Sequence, residues 1–87
     1  MKARKIFIDA LKKARMHKNG VTSLAAEISV SRAAVYRWLS IAGDAEKIDR
    51  IAEVRLPQIA AIGKQGDTDL PLWLAELSDD VYRRLYK

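Results

Sequence analysis

The 87-residue chain contains no cysteine and a single histidine. A disulfide framework, a thiolate nucleophile and a sulfur-ligated metal are therefore excluded, and one imidazole makes zinc coordination and nucleophile–histidine catalysis poor prospects. No apolar run approaches the ~18 residues of a transmembrane helix. The opening MKARKIFIDALKKAR has a basic flank but reaches Asp9 after three apolar residues, so it lacks the apolar middle of a secretory signal. A cytoplasmic setting is the expectation. There is also no strand-like alternation, internal repeat or low-complexity segment. What the chain does have is a 49% hydrophobic composition, enough for one small compact core and too much for a disordered polymer.

The net charge of +5 hides an asymmetry. Residues 1–43 carry nine basic side chains against Asp9 and Glu27, whereas residues 44–87 carry seven basic and nine acidic ones. A half-molecule at +7 suits a polyanion, because neutralising phosphates releases their condensed counterions. A solvated Lys/Arg face kept for solubility would give the same count, so charge alone permits a nucleic acid without requiring one.

Apolar spacing predicts an all-α chain. In residues 3–16, Ala3, Phe7, Ala10, Leu11 and Ala14 share one helical stripe opposite Lys5, Asp9 and Lys12. Asn19 and Gly20 tolerate positive φ and close this helix. Val21, Leu24, Ala25 and Ile28 repeat at i, i+3, i+4 and i+7 in a short second helix over 21–28. Ser31 is a suitable N-cap for a third, over 32–40, whose buried stripe is Val35, Trp38 and Leu39 with Ala34 at its edge. Ala33, Tyr36, Arg37 and Ser40 then point outward. Asp44 caps a fourth helix carrying Ile48, Ile51 and Ala52. Pro57 disfavours helical geometry at Leu56 and predicts a break, followed by a short fifth helical turn over 57–62. Residues 63–69 read as a polar connector, and Asp67 and Asp69 as its loop residues. The tail, 70–87, places Leu70, Leu74, Leu77, Val81 and Leu85 on one stripe with Trp73 beside it. Ser78, Asp79 and Asp80 either lie within one helix or start a second; spacing does not decide.

Two short helices joined by a tight turn at 21–40 invite comparison with a helix-turn-helix. Such a unit needs a small residue where its helices cross, which Ala25 supplies. It also needs apolar residues around the turn and along the inner face, for which Leu24, Ile28, Val30, Val35 and Trp38 fit. The stretch VTSLAAEISVSRAAVYRWLS resembles the helix-turn-helix of small phage repressors of the Cro type and of the antitoxins built like them. Its second half, VSRAAVYRW, is also similar to the corresponding helix of resolvases and transposases. One departure is Ser29, where glycine is common because the backbone turns left-handed. Serine there costs about 1 kcal/mol relative to glycine.

The resemblance implies a compact five-helix, lambda-repressor-like helix-turn-helix domain over 1–62, with residues 63–87 as linker and additional C-terminal helical tail. It implies a sequence-specific regulator of double-stranded DNA that needs no cofactor, holds no metal and is not an enzyme. Arg32, Ala33, Tyr36 and Arg37 would meet base edges from helix 32–40 in the major groove. Arg15, Lys18, Ser31 and Ser40 would meet the DNA backbone, together with the amides around Val21, Thr22 and Ser23 and the last two side chains' hydroxyls. Ser31 serves equally as a cap alone. Trp38 belongs to the core, and His17 is read as an exposed residue at a helix end. Lys2, Arg4 and Lys5 form either a basic arm or a solvated terminus.

Single modules of this kind bind weakly, so a homodimer is expected. Leu70, Trp73, Leu74, Leu77 and Val81 are the candidate interface, either with a second copy or with a protein partner such as a toxin or host regulator. The alternative is that the tail packs back on the first and fourth helices. Two other functions compete: a protein-interaction module that uses the helix-turn-helix as scaffold, and an accessory DNA-binding protein of a recombinase or transposase system. No membrane partner is expected.

Overall fold

A computed structural model describes residues 2–66 and 69–86; Asp67 and Thr68 of the expected connector lie outside the described residues. The chain is all-α. The described residues form five helices: α1 (Lys2–Arg15), α2 (Gly20–Glu27), α3 (Arg32–Ser40), α4 (Ala45–Ile62) and α5 (Leu72–Tyr86). Among the described residues no helix is long and apolar enough to cross a membrane.

The fold is organised around α1. Its apolar stripe is broader than the expected one, because Ile6 is buried together with Phe7, Ala10, Leu11 and Ala14. This face packs against α4, α5, α2 and α3, so one helix serves as the platform for the other four. Polar clamps flank it. Arg4 holds Asp49 of α4 through two parallel bonds, Nε to Oδ1 at 2.9 Å and Nη2 to Oδ2 at 3.0 Å. Asp9 accepts from Arg84 of α5 at 3.3 Å, and Lys13 reaches Asp80 at 3.5 Å. The basic-arm reading is thereby corrected: residues 2–5 are the first turn of α1, and Arg4 is engaged by a carboxylate.

The connection from α1 to α2 depends on two unusual residues. Asn19 adopts the left-handed conformation, φ 58°, and serves as the N-cap position of α2 without a side-chain bond. Gly20 has an ordinary φ and meets a different need. It is buried against the end of α1, where a Cβ would fall on the carbonyl oxygen of Ala14. Only glycine lets the two backbones approach this closely.

The α2–α3 turn meets the expectation set by its departure from glycine. Ser29 has φ 59°, the left-handed geometry. The amide of Val30 donates to the carbonyl of Ala25 at 3.0 Å, closing the turn over the small residue at the crossing. Ser31 caps α3, its hydroxyl oxygen accepting from the Ala34 amide at 3.1 Å. Asp44 caps α4 likewise, accepting from the Lys47 amide at 3.3 Å.

Two expectations about the second half are corrected. The break at Leu56 does not occur, and α4 runs through Pro57 to Ile62 as one helix. A proline inside a helix costs about 3 kcal/mol through the lost N–H bond and ring crowding. Burying a large aliphatic side chain gains about 1.5–3 kcal/mol. Leu56, Ile59 and Ile62 are all buried, and only the helical path buries all three at once, while the Pro57 ring faces outward. The expected fourth and fifth helices are therefore one, and the tail supplies the fifth.

The tail is a single helix, and its stripe is not an open interface. Leu74, Leu77 and Val81 are buried within the same apolar cluster as α1 and α4, with Leu70, Trp73 and Leu85 half-buried against it. Assigning Leu74, Leu77 and Val81 to a partner is corrected accordingly; the intramolecular alternative accounts for them, because α4 and α1 leave an apolar trough that α5 fills. Ser78 is the hinge of that contact rather than a cap. Its buried hydroxyl donates toward the carbonyls of Ile59 and Ala60, at 2.7 and 3.1 Å, and accepts from the Gly63 amide at 2.9 Å. These groups sit at the end of α4, where backbone partners run out.

Three measurable consequences follow from this packing. Gly20→Ala destabilises the chain by about 3 kcal/mol, because backbone rather than a flexible side chain must yield; an unchanged urea midpoint refutes the close-approach assignment. Ser29→Gly stabilises the chain by about 0.5–1 kcal/mol and raises the urea midpoint accordingly, since relief of left-handed strain exceeds the added chain entropy. The Arg4 guanidinium holds the Asp49 carboxyl below its ordinary range, chiefly by hydrogen bonding. That contribution is complete above the unfolded aspartate range, near pH 4, and disappears as pH falls through the lower folded value. Thermal melts of Asp49→Asn therefore lie below those of the parent at pH 6, and the gap closes in strong acid.

Candidate nucleic-acid interface

The surface built by α2 and α3 begins with what lies beneath it. Nine residues are too few for an isolated helix to persist in water. The inner face of α3 is therefore anchored. Val35 is fully buried, and the Trp38 ring lies 5.6 Å from the Phe7 ring of α1 at an interplanar angle of 49°. The Arg55 guanidinium of α4 covers Trp38 at 5.5 Å from the ring centroid. Trp38 is a core residue, as the spacing predicted, and its position fixes the rotation of α3.

That rotation leaves Arg32, Ala33, Tyr36 and Arg37 exposed on the outer side. Tyr36 keeps 49% of its surface accessible. Ser31 and Ser40 are exposed at the two ends but differ chemically. The Ser31 oxygen accepts from its helix, so its proton stays available to an outside acceptor. The Ser40 hydroxyl instead donates to the Arg37 carbonyl at 2.8 Å, which leaves no proton for a phosphate. Ser40 is thus a poorer backbone ligand than its position suggested.

The start of α2 faces the start of α3. A recess of about 130 Å³ between them is walled by Arg15, Thr22, Arg32, Tyr36 and the backbone around Gly20 and Val21. Two base-edge candidates, Arg32 and Tyr36, and three backbone candidates, Arg15, Val21 and Thr22, separated by up to 21 positions in sequence, meet there. The Val21 side chain is buried, so only its amide is available. The Ser23 amide already donates to the Asn19 carbonyl at 2.9 Å, which leaves the amides of Val21 and Thr22 as the open ones in this turn. Lys18 and Ser23 lie outside the walls of the recess, Lys18 exposed on the preceding turn. Ala33 and Arg37 continue the exposed face along α3.

His17 is exposed just past the end of α1, as expected, but it also occupies a junction. It lines the same recess, and its ring stacks on Trp73 of α5 with centroids 4.4 Å apart and planes within 10°. No local signal pairs two rings 56 residues apart. The stack ties the α1–α2 turn to the tail helix.

Ion pairing sharpens the charge asymmetry. Asp9, Asp44, Glu46, Asp49, Asp79 and Asp80 pair with cations of α1, α4 and α5. Among the described residues, Arg15, Lys18, Arg32 and Arg37 form no ion pair, and Glu27 is the one acid between residues 10 and 43. These four unpaired cations lie around the recess and along the outer face of α3, while Lys5 and Lys12 of α1, Arg55 of α4 and Lys64 are likewise outside the ion pairs. The arrangement is rich in donors and carries no carboxylate among the walls of the recess: guanidinium forks, open amides and hydroxyls, with the Lys18 ammonium beside them. Such a surface complements phosphates and the acceptor edge of guanine.

Comparison with protein-family models, with curated proteins and with solved structures gives no match to this chain.

Proposed function

We propose that the chain is a sequence-specific DNA-binding regulator of the repressor or antitoxin kind, which inserts α3 into the major groove. The observation that carries this reading is the meeting of the α2 N-terminus with the exposed start of α3 in one uncompensated cationic surface. Arg32 and Arg37 donate to base edges or adjacent phosphates, Tyr36 and Ala33 supply apolar and edge contacts, and the Val21 and Thr22 amides with the Thr22 hydroxyl seat a phosphate. Arg15, Lys18 and Ser31 hold the flanking backbone. A rigid α3 suits this task, because the anchored Trp38 prevents the helix from rolling and changing which side chain meets which base.

The competing reading, a module that grips a toxin or host regulator through an apolar tail, loses its main support. The stripe on which it rested is largely buried inside the chain.

Selection of bound duplexes from random DNA at a fixed salt concentration tests the proposal directly. A reproducible consensus is expected, and Arg32→Ala combined with Arg37→Ala weakens binding to it by at least about 30-fold, at roughly 1–3 kcal/mol per base contact. Both residues are exposed, so the helix content and urea midpoint stay as in the parent. Absence of enrichment, or an unchanged affinity of the double variant, overturns the reading.

A further inference from the structure

Beside its contact with α5, α4 leaves Pro57 and Ala61 exposed along the edge of the packed face. Glu53, Pro57 and Ala60 follow one another at intervals of four and three on one side of α4, and Lys64 follows just past its end. Pro57, Ala60, Ala61 and Lys64 line a groove of about 230 Å³ whose far wall is Tyr82 and Tyr86 of α5. The two tyrosine rings pack at 5.0 Å, and Tyr86 keeps 57% of its surface exposed. Exposed tyrosine rings are enriched at interfaces, and here they wall an apolar floor.

The charges at the two ends of the seam identify the occupant. Glu53 is exposed and makes no ion pair among the described residues, whereas the neighbouring acids Glu46 and Asp49 are both paired. Lys64 lies at the other end, in the turn just past the Gly63 cap of α4. Its ammonium rests 4.5 Å from the centroid of the Tyr82 ring and pairs with no carboxylate among the described residues. The seam is therefore acidic at one end, apolar and small in the middle, and basic at the other.

We propose that this groove is the contact between two copies of the chain, with their α4 helices antiparallel about a two-fold axis. An isologous contact sets the same patch against itself. In the antiparallel sense Glu53 meets the partner's Lys64, Lys64 meets the partner's Glu53, and Pro57 lies against the partner's Ala60 and Ala61. A parallel arrangement would oppose like charges at both ends. The tyrosines of each copy close over the partner's α4. Outward-facing Pro57 suits such a contact as well, since it presents a rigid apolar ring in place of a solvated polar side chain. This inference does not rest on the DNA-binding proposal, and it is tested without DNA.

Sedimentation equilibrium of the full chain over a wide concentration range is the experiment. A reversible dimer is expected. Ala61→Glu places a charge in the middle of the seam at an exposed position and weakens the dimer on the order of 100-fold or more, with circular dichroism unchanged. Glu53→Lys weakens it about 10-fold by opposing two cations, and adding Lys64→Glu restores it. A chain that stays monomeric at every concentration, a dimer indifferent to Ala61→Glu, or a double swap as weak as the single one overturns the proposal. A dimer that selects no DNA keeps this interface and removes the DNA reading, whereas a monomer that selects DNA does the reverse.

Discussion

The contact between Phe7 and Trp38 is the one on which the exposed face of the molecule depends. A helix as short as α3 has too few backbone bonds to define its own orientation. The tilted ring pair, with Val35 beside it, converts an otherwise marginal segment into a fixed ridge. An aromatic pair of this geometry contributes about 0.5–1.5 kcal/mol beyond its buried area. More important is its direction. Phe7 belongs to the central helix α1, so the rotation of α3 is referred to the same platform that positions α2, α4 and α5.

Backbone constraints then set the spacing between that platform and the helix pair. Gly20 admits the Ala14 carbonyl, Ala25 admits the turn, and Asn19 and Ser29 take left-handed conformations that side chains ordinarily avoid. Each is locally unfavourable or permissive, and each becomes fixed only because apolar neighbours on both sides are buried. The recess between α2 and α3 is the outward consequence. Arg15, Thr22, Arg32 and Tyr36 come together because two tight turns reverse the chain within a few residues of them.

Local signals made a large part of this legible. The bounds of α3, the caps at Ser31 and Asp44, the core place of Trp38 and the left-handed turn at Ser29 all depend on side chains within a few positions of one another. The exposure of Arg32, Ala33, Tyr36 and Arg37 follows from the same periodicity. What was not legible rests on distant partners. Pro57 reads as a breaker until the burial of Leu56, Ile59 and Ile62 is weighed against it. Ser78 followed by two aspartates reads as a helix start, yet its hydroxyl is engaged by the end of α4, up to 19 positions earlier in the chain. The tail's apolar stripe says that it must be buried but not by what. The stack of His17 on Trp73 left no local mark at all.

The ion pairs that brace α1, α4 and α5 have an effect at long range. By engaging most of the acids away from α2 and α3, they leave the molecule with an electrical orientation as well as a net charge. In the field of an anionic polymer such a body experiences a torque before any contact is made. Encounters then begin with the cationic end leading, and fewer collisions are wasted on the wrong side. The torque fades as salt shortens the screening length to about 8 Å at physiological strength. The placement of carboxylates far from the recess thus biases which side of the molecule leads toward an anionic surface, without any of them touching the recess.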